Sequence, residues 1–243
     1  MAERRAGGKA GKRVAMPRLF FHVEGQTEEN FVDIVLSEHL RGAGYISVVS
    51  RRLGLSNQRG GIRSWQSARK DILRHLKQQP EAIHATMVDY YGLKRDWPGR
   101  AEAPKINSTS GKGEYVEAAL VADISRELGQ RFDARRFSPL IMMHEFEALL
   151  FSDPGRFAQE IGGADLAAEL DSIRQAFSSP EDIDDSPENA PSKRIARLRP
   201  GYNKVLSGVD AALGIGLATI RRECPHFNDW LGHLEALPGL FPS

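Results

Sequence analysis

Short apolar runs and longer amphipathic stretches take turns along the first part of the chain. Residues 19–23 read LFFHV, a run with strand chemistry that ends at Glu24-Gly25-Gln26-Thr27. Thr27 has the chemistry of a helix cap. The following TEENFVDIVLSEHL sets Phe31, Ile34, Val35 and Leu36 at helical spacing with acids in the first turn. YISVV, residues 45–49, is β-branched and predicts a second strand. SNQRGGIR reads as a glycine-bearing loop, and residues 65–79 as a basic amphipathic helix that stops before Pro80. HATMVDYYG, residues 84–92, repeats the opening pattern: an apolar strand delivers an acid, Asp89, at its C-terminal end. A loop rich in Pro, Gly, Lys and Ser is expected through Gly113, then a helix over 114–128. FSPLIMM, residues 137–143, predicts a fourth strand, and a helix is expected to begin over 144–151.

Alternating strands and helices predict an α/β fold, a mainly parallel sheet flanked by helices. Beyond Asp153 the strand signal fades. Helices are predicted over 157–177 and 202–237, separated by the acidic, proline-punctuated linker SSPEDIDDSPENAPSKR. The expected division is a disordered basic arm over 1–17, closed by Pro17, an α/β core over 18–153, and a helical C-terminal region over 154–243 packed on that core. No internal repeat is visible.

Composition narrows the classes. A chain of 243 residues is one domain, or one with a small appendage, and 41% hydrophobic with 27% charged residues is ordinary for a globular protein. No apolar run approaches the length of a membrane-spanning helix. The single cysteine, Cys224, excludes an intramolecular disulfide and a cysteine-only zinc site. The basic first residues lack the apolar core of a secretory signal, so a cytoplasmic location is expected. Net charge is only +1, but the charges are blocked. Residues 51–77 carry eight basic residues and one acid, residues 144–190 twelve acids and two basic residues, and residues 193–204 five basic residues and no acid. Basic stretches near clustered carboxylates suit a site for polyanions and metals.

In a parallel sheet, ligands sit beyond the carboxyl ends of the strands, where Glu24 and Asp89 are both predicted. Two such carboxylates can share a divalent cation and leave room for phosphate oxygens. Gly25 is expected to let the backbone turn sharply there, and Thr27 to open a helix whose amides face a phosphate. The plainer reading makes Glu24 a helix cap and Asp89 the start of a turn. MHEFEALLF adds Glu145 and Glu147. On a helix these diverge while His144 and Glu147 share a face; in extended backbone the two glutamates lie on one side, so either stays open as the functional one. Lys193, Arg194 and Lys204 are candidates to neutralise charge on a phosphate, with PSKRI as a simple helix start the alternative. Ser192 reads as a cap. Cys224 and His226 lack visible partners for zinc and read as packing residues. SGKGEY, residues 110–115, lacks the first glycine and the Lys-Ser/Thr ending of a P-loop, which argues against an ATPase on this chain and for a flexible basic loop.

Five ordered motifs, VEGQTEENF, MVDYYGL, MHEFEALLFSD, APSKRI with the following GYNK, and CPHFNDWL, resemble a bacterial domain-of-unknown-function family grouped with Toprim-like proteins and often encoded beside an ATPase in defence-associated operons. The resemblance runs from about Leu19 to Leu237. It implies a Toprim-like fold, as in topoisomerases, primases and overcoming-lysogenization-defect nucleases, in which a strand-end glutamate and a later Asp-x-Asp bind divalent metal. Glu24 fits the glutamate and Asp89 the first aspartate, but Tyr91 stands where the second aspartate belongs, which leaves that contact to Glu145 or Glu147. The implied activity is hydrolysis of DNA or RNA with Mg²⁺ or Mn²⁺. Glu24, Asp89 and Glu145 or Glu147 would be the metal carboxylates, and Lys193, Arg194 or Lys204 the phosphate cations. The implied role is an effector of a bacterial defence system with an ATPase partner, and a homo-oligomer is left open. The rival is a non-catalytic Toprim-derived module that docks on an ATPase, a reading that Tyr91 favours.

Overall fold

Every strand expected from an apolar run is present in the computed structural model, which describes residues 16–54, 62–183, 186 and 188–241. Most of the expected N-terminal arm, the SNQRGG stretch and part of the acidic linker lie outside the described residues. The order is β1 (Arg18–Val23), α1 (Gln26–Phe31) continuing through a π turn at Val32–Leu36 into α2 (Ser37–Gly42), β2 (Ser47–Arg52), α3 (Trp65–Gln78), β3 (Ile83–Asp89), α4 (Thr109–Leu128) and β4 (Phe137–Met142). The 3-10 segment Phe146–Ser152 leads into α5 (Pro154–Glu160), α6 (Ala167–Gln175), α7 (Pro191–Leu198), α8 (Lys204–Ile215), α9 (Leu217–Glu223) and α10 (Pro225–Ala236). The strands form one sheet in the order β2-β1-β3-β4, every pairing parallel. The fold is α/β, with helices on both faces and a helical C-terminal part.

Strands buried on both faces explain why the runs are nearly continuous in apolar residues rather than alternating. Leu19, Phe21 and Val23 of β1, with Ile83, Ala85 and Met87 of β3, join a cluster containing Phe31, Leu36 and the C-terminal side chains Phe227, Trp230 and Leu231. The core therefore runs across residue 153 and includes the C-terminal helices. Phe21 stands edge-on to Trp230 at 6.0 Å between ring centroids. The opposite face packs Val88 and Ile141 against Trp65, Ile72 and Leu76 of α3 and Val116, Leu120 and Ile124 of α4. Between these layers two buried imidazoles meet, His22 Nε2 lying 3.2 Å from His84 Nδ1. Burial lowers both, His84 to about 4, so both are packed as neutral rings.

Several boundaries differ from the sequence reading. β2 lies a little later than YISVV, because Tyr45 leaves the strand to bury its ring and donate its hydroxyl to the Leu234 carbonyl at 2.7 Å. The loop expected through Gly113 ends early. Ser108 caps α4, its Oγ accepting from Gly111 N–H at 3.2 Å, so SGKG forms the opening turns of a helix rather than a flexible loop. Gly113 is needed there, since a Cβ would stand 2.7 Å from His226 Cε1. The helix expected over 157–177 is two helices, broken at Gly162-Gly163, where Gly162 takes φ +66°. The helical stretch 202–237 is cut at Gly216 (φ +85°) and again where Pro225 opens α10.

The linker carries a structural acid. Glu181 is buried and its two oxygens each accept one backbone N–H of the first turn of α10, from His226 and Phe227, at 2.9 Å. Glu181→Ala is expected to destabilise the fold by about 2 kcal/mol in urea unfolding, because two buried donors lose their acceptor. A loss below about 0.5 kcal/mol would show that this cap is dispensable.

Candidate functional site

Parallel register decides what meets at the carboxyl edge. Val23 pairs with Met87 and Asp89 with Met142, so the residues just after β1 and at the end of β3 come out side by side. Glu24 N–H donates to the Met87 carbonyl at 3.2 Å, and the Asp89 N–H donates to the Glu24 carboxylate at 3.2 Å. Gly92 lies across this carboxylate, where a Cβ would stand 3.3 Å from Glu24 Oε1. Gly25 caps α1 in ordinary extended backbone (φ −145°) rather than in the sharp turn expected. Its small size still matters, because a Cβ would sit 3.1 Å from Glu28 Oε2. Helix α1 starts at Gln26, one residue before Thr27, and Glu28 turns back so that Oε2 accepts the Gly25 N–H at 2.9 Å.

After β4 the chain bends at His144, which takes φ +63°, a left-handed conformation that a non-glycine residue adopts only at a cost of about 1–3 kcal/mol. Glu145 is then extended and Phe146 begins the 3-10 turns, instead of the α-helix expected over 144–151. This bend sends the two glutamates to different partners. Glu145 Oε2 accepts the Ser192 N–H at the start of α7 at 2.9 Å. Glu147 is fully buried and faces α8. Asp89 fastens the bend, its Oδ1 accepting the Phe146 N–H at 3.0 Å.

The charge on which the acids converge is the ammonium of Lys204, first residue of α8. Its Nζ lies 3.0 Å from Glu147 Oε2, 3.3 Å from Asp89 Oδ2 and 3.9 Å from Glu28 Oε1. Glu147 Oε1 is buried with no hydrogen-bond partner, as is the Tyr202 hydroxyl near it. Burial, then the neighbouring Glu28 carboxylate, pushes the Glu24 carboxyl up from 4.5 to about 7. Burial also holds Asp89 well above the usual carboxylate range, although Lys204 pulls the other way, and it raises Glu147. Burial opposes the charge of Lys204, but Asp89, Glu147 and Glu28 together outweigh it and hold the ammonium protonated.

Of the residues singled out from the sequence, Glu24, Asp89, Glu147 and Lys204 share one edge of the sheet. Glu145 joins them electrostatically, its charge acting on both Glu24 and Glu147. Lys193 is exposed on α7. Arg194 turns to its own segment, its Nε donating to the Asn189 carbonyl at 2.7 Å and its guanidinium lying 5.6 Å from the Phe177 ring centroid. Tyr91 donates its backbone N–H to the His144 carbonyl at 3.0 Å, which ties the β3 loop to the bend. Glu28 was not singled out from the sequence. Its signal was its place at the third position of a glycine-capped helix, but Glu29 is adjacent and pairs instead with Arg52 at 3.1 Å. Cys224 is buried in the core, its thiol pushed up by burial, and its Sγ lies 3.4 Å from Ser152 Oγ.

Residues 23–235 match the family described as Domain of unknown function (DUF4276). The chain belongs to that family. All the edge residues just described fall inside the DUF4276 match. Comparison with curated proteins gives no match. Among solved structures, the C-terminal region of the OLD protein of Xanthomonas campestris pv. campestris is similar over 93% of this chain and 98% of that one, at 14% identity and a TM-score of 0.41.

Whether this DUF4276 edge fits a metal turns on donor chemistry. Glu24, Glu28, Asp89 and Glu147 all present carboxylates there, the donor type that hard divalent cations take. Lys204 Nζ marks a point within 4 Å of three of those carboxylates where positive charge is already held. Among the described residues no group of three His, Cys, Asp or Glu side chains stands arranged as a ready ligand set. The chemistry fits a divalent cation, and the carboxylates in this structure are arranged around an ammonium. Among the described residues, no helix is long and apolar enough to cross a membrane.

Proposed function

We propose that this edge is the active site of a metal-dependent nuclease that hydrolyses phosphodiester bonds of DNA or RNA. The observation that carries the reading is the set of Glu24, Glu28, Asp89 and Glu147 gathered at the carboxyl ends of parallel strands, with one lysine among them. Glu24, Asp89 and Glu147 would hold Mg²⁺ or Mn²⁺. Glu147 is preferred to Glu145, whose Oε2 is engaged by the Ser192 N–H. Bound there, such an ion would supply an activated water and neutralise charge on the scissile phosphate.

The chain's own groups do the rest. The Asp89 and Phe146 amides hold the Glu24 and Asp89 carboxylates in fixed orientation. The buried faces of Glu147 and Asp89 keep water from the inner side of the cluster. Lys204 places its charge beside a phosphate oxygen as negative charge grows there. Lys193, exposed on α7, adds charge along the path of the backbone; Arg194 supports α7 through Asn189.

The test is cleavage of single- and double-stranded DNA and RNA by the full chain with Mn²⁺, with Mg²⁺ or with chelator, with the suspected ATPase partner absent and present. Cleavage that requires the divalent ion is expected. Cleavage that survives chelation would overturn the metal mechanism. Metal binding without cleavage under any of these conditions would favour the second reading, a non-catalytic module docking on an ATPase. Tyr91, in place of a second aspartate, is the residue that favours it.

A further inference from the structure

We propose that Lys204 is a tethered cation that occupies the acidic cluster until a divalent ion displaces it, so that metal loading and the placement of the lysine on the phosphate are one switch. The inference rests on the metal-site reading above and concerns its regulation.

The geometry sets up a competition. An ammonium 3.0 Å from Glu147 and 3.3 Å from Asp89 sits where a cation shared by those two carboxylates would be. Two cations cannot share that point, since like charges at such range repel strongly in a partly buried site. Metal entry therefore requires the ammonium to leave. A point charge on a flexible four-carbon stem is suited to do so.

Three further features make the lysine's present position conditional. Lys204 is the first residue of a twelve-residue helix, and Asn203 caps that end by accepting from the Val205 and Leu206 N–H groups at 3.0 and 3.3 Å. A cation in the first turn lies against the helix dipole, so the carboxylates, and not the helix, hold it there. Its side chain is 36% exposed, while those of Glu147, Glu28 and Asp89 are 0%, 4% and 9% exposed, so the lysine is the member of the cluster whose stem reaches solvent. Glu147 Oε1 also remains buried without a partner, so the ammonium leaves the cluster's acceptors incompletely used.

Displacement lowers the apparent metal affinity by the fraction of molecules in which the site is clear. Removing the charge while keeping an unbranched stem should remove that factor. By titration calorimetry with Mn²⁺ alone, Lys204→Met is expected to bind at least about tenfold more tightly than the wild type, and Lys204→Arg no more tightly than the wild type. A reporter independent of activity is the ¹³C signal of the reductively methylated Lys204 amine, assigned by its loss in Lys204→Arg, which should move on Mg²⁺ addition as the amine leaves the carboxylates. If Lys204→Met fails to fold, the Arg variant and the amine signal still decide the matter. Wild-type binding with a Met variant of equal or weaker affinity, or an amine signal that ignores Mg²⁺ while calorimetry shows binding, would overturn the switch and leave the metal site standing. No Mn²⁺ binding by either protein would overturn the metal-site reading, and the switch with it.

Discussion

Glu24→Gln is expected to abolish nucleic-acid cleavage while raising stability by about 2 kcal/mol at about pH 8. The two effects have one origin. A carboxyl held at about 7 instead of 4.5 opposes folding by roughly 3 kcal/mol once it must ionise, first because it is buried and next because Glu28 is beside it. The sign follows from the raised value. The folded state keeps its full advantage below about pH 4.5, loses it progressively between about 4.5 and 7, and has lost it above. Glutamine keeps an oxygen to accept the Asp89 N–H and does not ionise, so it escapes that loss, less about 1 kcal/mol for a weaker hydrogen bond. The gain should therefore be present at about pH 8 and gone at about pH 4.5, measured by urea unfolding at both. Undiminished cleavage by the folded variant would refute Glu24 as a metal carboxylate. A stability change independent of pH would refute the strained carboxyl.

Lys204→Met should have the opposite effect on stability. Taking away the ammonium leaves Asp89 and Glu147 facing each other across a buried site. Breaking a fully buried pair typically destabilises by about 3–5 kcal/mol, and the partial exposure of Lys204 reduces the expected loss to about 2 kcal/mol at about pH 8. The lysine itself stays charged throughout, so the pH dependence comes from its partners. Asp89 and Glu147 are both raised by burial and take up protons as the pH falls, so the loss should shrink on acidification. Mn²⁺ should recover the lost stability in the variant more than it stabilises the wild type. A loss that grows on acidification would contradict the arrangement.

How much of this was legible in the sequence depended on which contacts set each feature. β1, β3 and β4 were readable because strands buried on both faces need continuous apolar runs, and LFFHV, HATMVD and FSPLIM supply them. β2 is an edge strand ending in Arg51 and Arg52, whose charges mask its extent, while Tyr45 looks like a strand residue and is held by Leu234, far away in the chain. The opening of α4 was hidden by glycines that read as loop until His226 is seen packed against Gly113.

The edge follows the same division. Glu24 and Asp89 stood out because strand ends are local and the parallel register aligns them. Glu147 could not be separated from Glu145 without the left-handed bend at His144, a conformation that non-glycine residues adopt in only a small minority of cases. Lys204 could not be separated from its basic neighbours, because only the packing of α8 against α1 and the 3-10 segment carries it to the acids. Glu28 turns inward while Glu29 meets Arg52, which the register of β2 on β1 places opposite Val23.

The most direct measurement is Mn²⁺ titration of the wild type and Glu24→Gln by calorimetry at about pH 8, above the value of about 7 to which the Glu24 carboxyl is raised. Saturable binding by the wild type, with a Kd below about 1 mM, and its loss in the folded variant is the expected result. No heat of binding by the wild type, or equal binding by both proteins, would contradict the metal site.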